Sequence, residues 1–542
     1  MAIPEEVALL EDLVSDSVDY RGIPAGKSST GGWRSAWFII GVEVGERFAY
    51  VGIACNLITY LTGPLGQSTA TAAVNVNTWS GTASTLPVLG AFVADAYLGR
   101  YRTILGASFI YILGLGLLTF SASLTIMGSS EQRNGDSAKP SFLVNVLFFF
   151  SLYLVAVGQG GHKPCVQAFG ADQFDSQDPK ERIARGSFFN WWFFSLSAGI
   201  ALSIIVVVYV QSNVNWALGF GIPCLSMVMA LAIFLLCRKT YRYPKGNPQE
   251  RNPFARIRRV FVAAFKNRRL DLDQGQVEDG QSQTCESRLV GRDVEDAKAL
   301  ARLIPIWITT MVSMVPYAQY TTFFTKQGVT VDRKILPGLE IPPASLLSVI
   351  AISVLVSVPI YERVFLPIAR LITKRPFGIT MLQRIGAGMV LSSLNMVLAA
   401  LVEAKRLRIA EEHGLIDKPD ATVPISIWWF VPQYLFLGII DVFSLVGAQE
   451  FFYDQVPTEL RSIGLAFSLS AMGLSNFLSG LLITVIDWYT GRDGGDSWFN
   501  TNLNRAHVDY FYWLLAGFTA VAFLVFLFIS KKYVYRRVDQ VV

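Results

Sequence analysis

Three ionisable residues, Glu43, Glu46 and Arg47, stand inside a run from Trp37 to Leu61 that is otherwise apolar or small. Their i, i+3, i+4 spacing puts all three on one face of a helix. About 25 residues at ~1.5 Å each are enough to cross the hydrocarbon core of a bilayer. A charge placed there costs at least ~2.5 kcal/mol unless it pairs or faces a water-filled cavity. An ion pair of Glu46 and Arg47 snorkelling to the interface would use only one carboxylate. The second is then in excess of its base, and a buried excess carboxylate can carry a proton. This face is a candidate proton-linked site in a transport path.

Other residues offer matching chemistry. Lys163 follows Gly158-Gln-Gly-Gly-His162 and precedes Pro164, at the end of an apolar run. It reads as an internal base facing the excess carboxylate, or as an interfacial lysine. His162, one of three histidines, reads as structural. Asp172, Asp175 and Asp178 lack the loop glycine and terminal glutamate of a calcium-binding loop, and are expected to pair with Lys180, Arg182 and Arg185. Tyr317, Gln319 and Tyr320 give one apolar run a polar face after Pro316. Asp441 stands alone in Gly438-Ile-Ile-Asp441-Val-Phe-Ser444, so it must be neutral, paired or water-facing. It is a candidate for binding solute or proton.

The elements that must position these groups are membrane spans. Of 542 residues, 52% are hydrophobic and only 16% charged, with mean hydropathy +0.41. That is an all-α polytopic membrane protein in contact with a lipid bilayer, and its net charge bears on topology rather than on nucleic acid. Twelve apolar runs can be counted, at roughly 37–61, 71–94, 103–127, 142–162, 187–210, 216–237, 299–324, 343–361, 378–402, 424–446, 462–486 and 508–530. Twelve spans put both termini on one side. That side collects most loop Lys and Arg and should be cytoplasmic. Lys405, Arg406 and Arg408 break the rule and read as the end of a long ninth helix.

Asp95, Arg100 and Arg102 between spans two and three suit a charge-tied hairpin, and Glu362 and Arg363 hold the matching loop between spans eight and nine. Two six-span halves, each with an acid and bases at this loop, suggest bundles that rock against each other. The expected domains are a cytoplasmic tail (1–36), an N-terminal bundle (37–237), a linker (238–298), a C-terminal bundle (299–530) and a second tail (531–542). Arg258, Arg259, Arg268 and Arg269 alternate with Phe261, Val262 and Phe265 in the linker, as in a basic amphipathic helix on the inner leaflet.

The five cysteines form no CxxC pair, which argues against a disulfide framework or a zinc site. Gly22 to Ser28 is one spacer short of a phosphate-binding loop. No metal-ligand cluster or nucleophile motif points to an enzyme. No cofactor is expected beyond the proton as coupling ion. The first 36 residues hold acids and no apolar core, so no cleaved signal peptide is expected. Glu5, Leu9 and Leu10 form either an ordinary acidic amphipathic tail or an acidic dileucine pattern that a sorting adaptor could read, consistent with a vacuolar membrane; the plasma membrane is the alternative.

Together these residues resemble the proton-coupled oligopeptide transporter family, in its plant nitrate/peptide branch. The marks are Glu43-x-x-Glu46-Arg47-Phe-x-Tyr, the stretch from Gly90 to Arg100, Gly160-Gly-His-Lys163-Pro, Phe189-Asn-Trp191-Trp192-Phe-Phe-Ser195, Gln383-Arg384-Ile-Gly386 and Pro432-Gln-Tyr434. The resemblance implies the major-facilitator fold, twelve helices in two bundles, and proton symport of a small solute by alternating access. It makes Glu43, Glu46, Arg47 and Lys163 the proton-coupling set, with Lys163 pairing the motif of span one. It places Arg47, Lys163, Tyr317 and Asp441 at the solute. Asp441 stands where the family's peptide carriers use glutamate for the peptide amino group. Tyr317 stands where a nitrate carrier of the family has a histidine, and a phenol with a pKa near ~10 brings no positive charge. Nitrate is the favoured solute, with di- and tripeptides, larger organic solutes, or a non-transporting sensor as alternatives.

Overall fold

The computed structural model describes residues 13–131, 141–175, 177–245, 300–336, 339–374, 378–456, 461–492, 496–533 and 535. The dileucine segment with Glu5, Leu9 and Leu10, the basic stretch 254–269 and the tail residues Arg536 and Arg537 lie outside them. Among the described residues twelve long helices follow in chain order: α1 (Gly32–Ala54), α2 (Thr69–Val93), α3 (Arg100–Glu131), α4 (Phe142–Ala171), α5 (Pro179–Asn213) and α6 (Trp216–Leu236). After the linker come α7 (Leu300–Val329), α8 (Pro343–Thr373), α9 (Met381–Glu412), α10 (Ile427–Phe452), α11 (Arg461–Thr490) and α12 (Val508–Lys532).

Ten of them are long and apolar enough to cross a membrane by length and composition. The other two, α1 and α2, are of 23 and 25 residues. Charges in α1 and the Thr, Ser and Asn content of α2 lower their hydropathy. Their polar faces turn into protein: α1 packs on α5 and α6, and α2 on α4 and α11. Trp79 of α2 accordingly donates its indole N–H to the Leu152 carbonyl of α4 at 2.9 Å.

Local sequence sets the helix starts. Ser68 Oγ accepts from the Thr71 N–H, Asp178 from Lys180 and Asn215 from Ala217, while Thr380 and Gln383 form a reciprocal capping box. Close crossings use glycine: a Cβ on Gly90 of α2 would lie 2.1 Å from the Gly160 carbonyl oxygen of α4. The two backbones touch there.

Several bounds differ from the sequence expectation. The first span ends at Ala54, and Leu57–Thr62 is a separate short helix. Helix α4 runs through Pro164 to Ala171, so Lys163 lies about 12 Å before the helix end at 1.5 Å per residue. Helix α8 continues past Tyr361 through a π-helical turn, Tyr361–Phe365, into Leu366–Thr373. Glu362 and Arg363 therefore stand exposed on a helix and not in a loop. A π-helical turn also closes α2, at Ala94–Leu98, with Asp95 inside it. The two six-helix series carry the same feature at the same place.

The first 36 residues are not simply a tail. Strands β1 (Leu13–Val18) and β2 (Pro24–Gly26) pair antiparallel, and β1 also pairs β3 (Tyr243–Pro244) just after α6. Arg242 is buried beside them, bonded to Glu181 at 2.6 and 3.1 Å. Gly31, at φ 73°, lies against it, where a Cβ would meet the guanidinium Nε at 2.2 Å. The acids after α4 find other partners than expected: Arg100 bonds Asp172 at 2.5 Å, and Lys27 lies 3.6 and 3.4 Å from Asp175 and Asp178. Arg102 is exposed.

The basic exception at the end of α9 resolves physically. Arg406 is fully buried, bonded to both oxygens of Glu403 at 2.7 and 2.8 Å, to Asn504 at 2.8 Å and to the Leu503 carbonyl at 2.7 Å. Lys405 stacks its ammonium 3.3 Å over the Trp429 ring. Neither is a free loop charge. The halves meet at this same end, opposite the start of α1. Among the described residues, Asn77 and Gln319 both donate to Ser479 Oγ at 3.0 Å, and Lys326 donates to Thr62 Oγ1 at 2.9 Å.

Candidate functional site

Helix α1 delivers Glu43, Glu46 and Arg47 to one buried face, as their spacing requires. The Arg47 Nε donates to Glu46 Oε2 at 2.5 Å and lies 3.3 Å from Glu43 Oε1, and a terminal guanidinium nitrogen also contacts Glu46. One guanidinium thus serves two carboxylates. The other oxygens, Glu43 Oε2 and Glu46 Oε1, are buried with no hydrogen-bond partner among the described residues. Tyr50, one turn on, lies under Arg47 at 5.4 Å and stacks on Trp79 of α2.

The expected pairing of Lys163 with this motif is not closed in this conformation. Lys163 is half-buried and makes no ion pair or hydrogen bond among the described residues, because Arg47 already occupies an oxygen of each acid. The residue that does reach the acids from α4 is its neighbour. A ring nitrogen of His162 and an oxygen from each of Glu43 and Glu46 all lie within 4.8 Å of one another. His162 is fully buried, and both its ring nitrogens lack hydrogen-bond partners among the described residues. A divalent ion in this space would have to compete with Arg47 for both carboxylates. His162, read from the sequence as structural, lies in a small-residue stretch where the backbones of α2 and α4 touch.

A second constellation lies in the other half. The Tyr317 hydroxyl of α7 donates to Asp441 Oδ2 of α10 at 3.1 Å, and Asp441 Oδ1 is buried without a hydrogen-bond partner among the described residues. Ser313, Ser392, Ser444 and Met472 line the same pocket. Helix α7 bends here through a short 3₁₀ segment, Val315–Gln319, begun by Pro316. Asp441 opens a π-helical turn, Asp441–Leu445. Such a turn shifts carbonyls out of the regular ladder, and the carbonyl of Val442 is met by Arg384 at 2.7 and 3.1 Å. Arg384 is held by Glu450 at 2.8 Å and lies 4.5 Å over the Tyr361 ring. It is therefore the residue that positions the Asp441 turn.

The arrangement presents buried acids in excess of bonded bases in one half and a hydroxyl–carboxylate pocket in the other. The family model described as the POT family matches residues 101–499. The chain is 77% identical to Protein NRT1/ PTR FAMILY 5.15 of Arabidopsis thaliana, with both chains covered in full. It is similar to the crystal structure of an auto-inhibited POT family peptide transporter at a TM-score of 0.70 and 20% identity, over 94% of this chain and 98% of that one. It is also similar to the POT family transporter PepTSo at 0.69 and 21%, over 92% and 98%. The twelve helices thus take the major-facilitator fold of transporters and not of an enzyme, and the chain belongs to the POT family.

Proposed function

We propose that this chain is a proton-coupled symporter that moves a small nitrogenous solute by alternating access, with nitrate as the leading solute. The observation that carries this is the sharing of one guanidinium between Glu43 and Glu46 while Lys163 stands unbonded. The trio of Glu43, Glu46 and Arg47 holds one negative charge in excess. A proton on either acid removes the excess, loosens its hold on Arg47 and leaves Arg47 and Lys163 to attract an anion. Net neutrality lowers the desolvation cost of closing the cavity around the pair. The proton and the anion leave on the opposite side, and the ion pairs re-form.

One observation favours a second solute. The unpartnered Asp441 Oδ1 in its serine-lined pocket is an acceptor for an ammonium group, which suits a di- or tripeptide whose carboxylate engages Arg47 or Lys163. Uptake in oocytes at about pH 5.5 and about pH 7.4, on either side of the ordinary imidazole value near ~6.5, separates these readings with nitrate and alanyl-alanine offered singly. Glu46→Gln abolishes acid-driven uptake of the solute carried. Unchanged acid-driven uptake in that variant sinks the coupling assignment. A protein shown at the surface that binds either solute without flux is a sensor instead. We assign both termini to the cytoplasm from the loop charges. Replacing Leu9 and Leu10 tests vacuolar sorting, since a protein sorted by them moves to the plasma membrane.

A further inference from the structure

His162 has no part in the mechanism above, yet it is a fully buried polar group beside the acids of α1. Its ring is fully buried and bonds to nothing among the described residues. A neutral imidazole always holds one N–H donor and one acceptor nitrogen. Glu43 Oε2 and Glu46 Oε1 are buried acceptors without donors among the described residues, and an oxygen of each acid lies within 4.8 Å of a ring nitrogen.

The surrounding charges are countable. Helix α1 supplies Glu43, Glu46 and Arg47, and α4 itself supplies Lys163. Helix α3 supplies Tyr111, packed on Gly158 one turn before His162, its buried hydroxyl also unpartnered. Helix α2 has no Asp, Glu, Lys, Arg or His over Thr69–Val93. The charges of α5 are gathered in its first turns, at Lys180, Glu181, Arg182 and Arg185. The acids nearest His162 thus hold two negative charges against the single bonded charge of Arg47.

We propose that His162 is a proton-binding residue of this site, resting on the proton-coupled reading above. A hydronium ion gives up its proton, its O–H bond breaking to leave water as the N–H bond forms on the free ring nitrogen, and the imidazolium donates to the free oxygens of Glu43 and Glu46. The cluster of Glu43, Glu46, Arg47 and His162 becomes neutral, and Lys163 is left free for an anionic solute. On the other side of the membrane the same proton returns to water. Imidazole is the side chain whose ordinary titration falls between pH 5 and 8, the span that separates an acidic compartment from cytosol.

The test needs no knowledge of the solute. With only three histidines in the chain, the full-length His413→Gln/His507→Gln protein in nanodiscs, labelled at histidine with carbon-13, reports His162 alone. The ring signal is expected to titrate between about pH 4.5 and about pH 8.5, with a midpoint that changes in Glu46→Gln. A ring signal constant across that range, or a midpoint indifferent to Glu46, overturns the proposal. The transport arm compares His162→Gln and His162→Asn with wild type, using nitrate and alanyl-alanine. Each variant is expected to cut acid-driven uptake by about fivefold or more relative to its loss of solute exchange. Equal losses in both modes, with His162 not titrating, mark a packing residue. A titrating His162 in a protein whose uptake ignores external pH leaves this inference standing and removes the symport reading. Acid-driven uptake without titration of His162 does the reverse.

Discussion

Arg47 is shared between two carboxylates, and the sharing sets how each behaves when one is lost. Two unit charges 4 Å apart are worth about 4 kcal/mol at an effective dielectric of about 20. Breaking a buried pair by removing one partner costs about 3–5 kcal/mol. Glu46→Gln does not leave Arg47 alone, because Glu43 Oε1 remains 3.3 Å away. The variant should therefore fold and sit in the membrane, and lose the proton step rather than the protein. At the rim, Asp178 behaves differently. The Lys180 N–H it caps, and then Lys27, hold its carboxyl below the usual carboxylate range. A depressed folded value contributes stability that is complete above the unfolded value, near ~3.9, and is lost as pH falls through the folded one. Thermal unfolding of wild type and Asp178→Ala should thus differ at neutral pH and converge below about pH 4. Curves that stay parallel into acid would show that the cap contributes through shape alone.

At the scale of the helix, α2 and α4 touch backbone to backbone at Gly90 and Gly160, just before His162. Gly90→Ala puts a methyl into the Gly160 carbonyl and should destabilise by about 1–3 kcal/mol, as overpacked positions do. Gly106→Ala, with open space around it, should not. Melting of the two purified variants decides this, and equal melting points would mean the crossing is softer than the contact implies. The faces of α1 were legible from the spacing of Glu43, Glu46 and Arg47, and the fold from the apolar runs and motifs. The length of α4 was not, because Pro164 reads as a stop, while neighbouring helices can satisfy the carbonyl a membrane proline frees. His162 carried no periodic signal, and Arg384 appeared only as part of a motif. The partners of Lys27 and Arg242 were beyond reach for another reason. They lie 151 and 61 residues away in the chain, and only the folded packing brings them together.

Across the whole molecule, the halves are joined where α2 meets α11, at the end opposite the start of α1. A Cβ on Gly480 would lie 3.7 Å from that of Asn77, inside the ~3.5–4.5 Å that a disulfide needs. In a background without the native cysteines, Asn77→Cys/Gly480→Cys should cross-link on oxidation and lower uptake by about tenfold or more, since one of two states is trapped. Reductant should restore it. Full uptake by the cross-linked protein would mean that these helices do not part during transport. The sheet beneath the N-terminal helices carries a different consequence. Ser17 and Val18 pair with Pro244 and Tyr243, so the first and last stretches of that half are fastened to each other by their own backbones. A half clasped in this way does not rely on the covalent thread to its sibling. Translated as two polypeptides, 1–245 and 246–542, the transporter should reassemble by co-expression. A piece starting at residue 27 should not, having lost one side of the clasp.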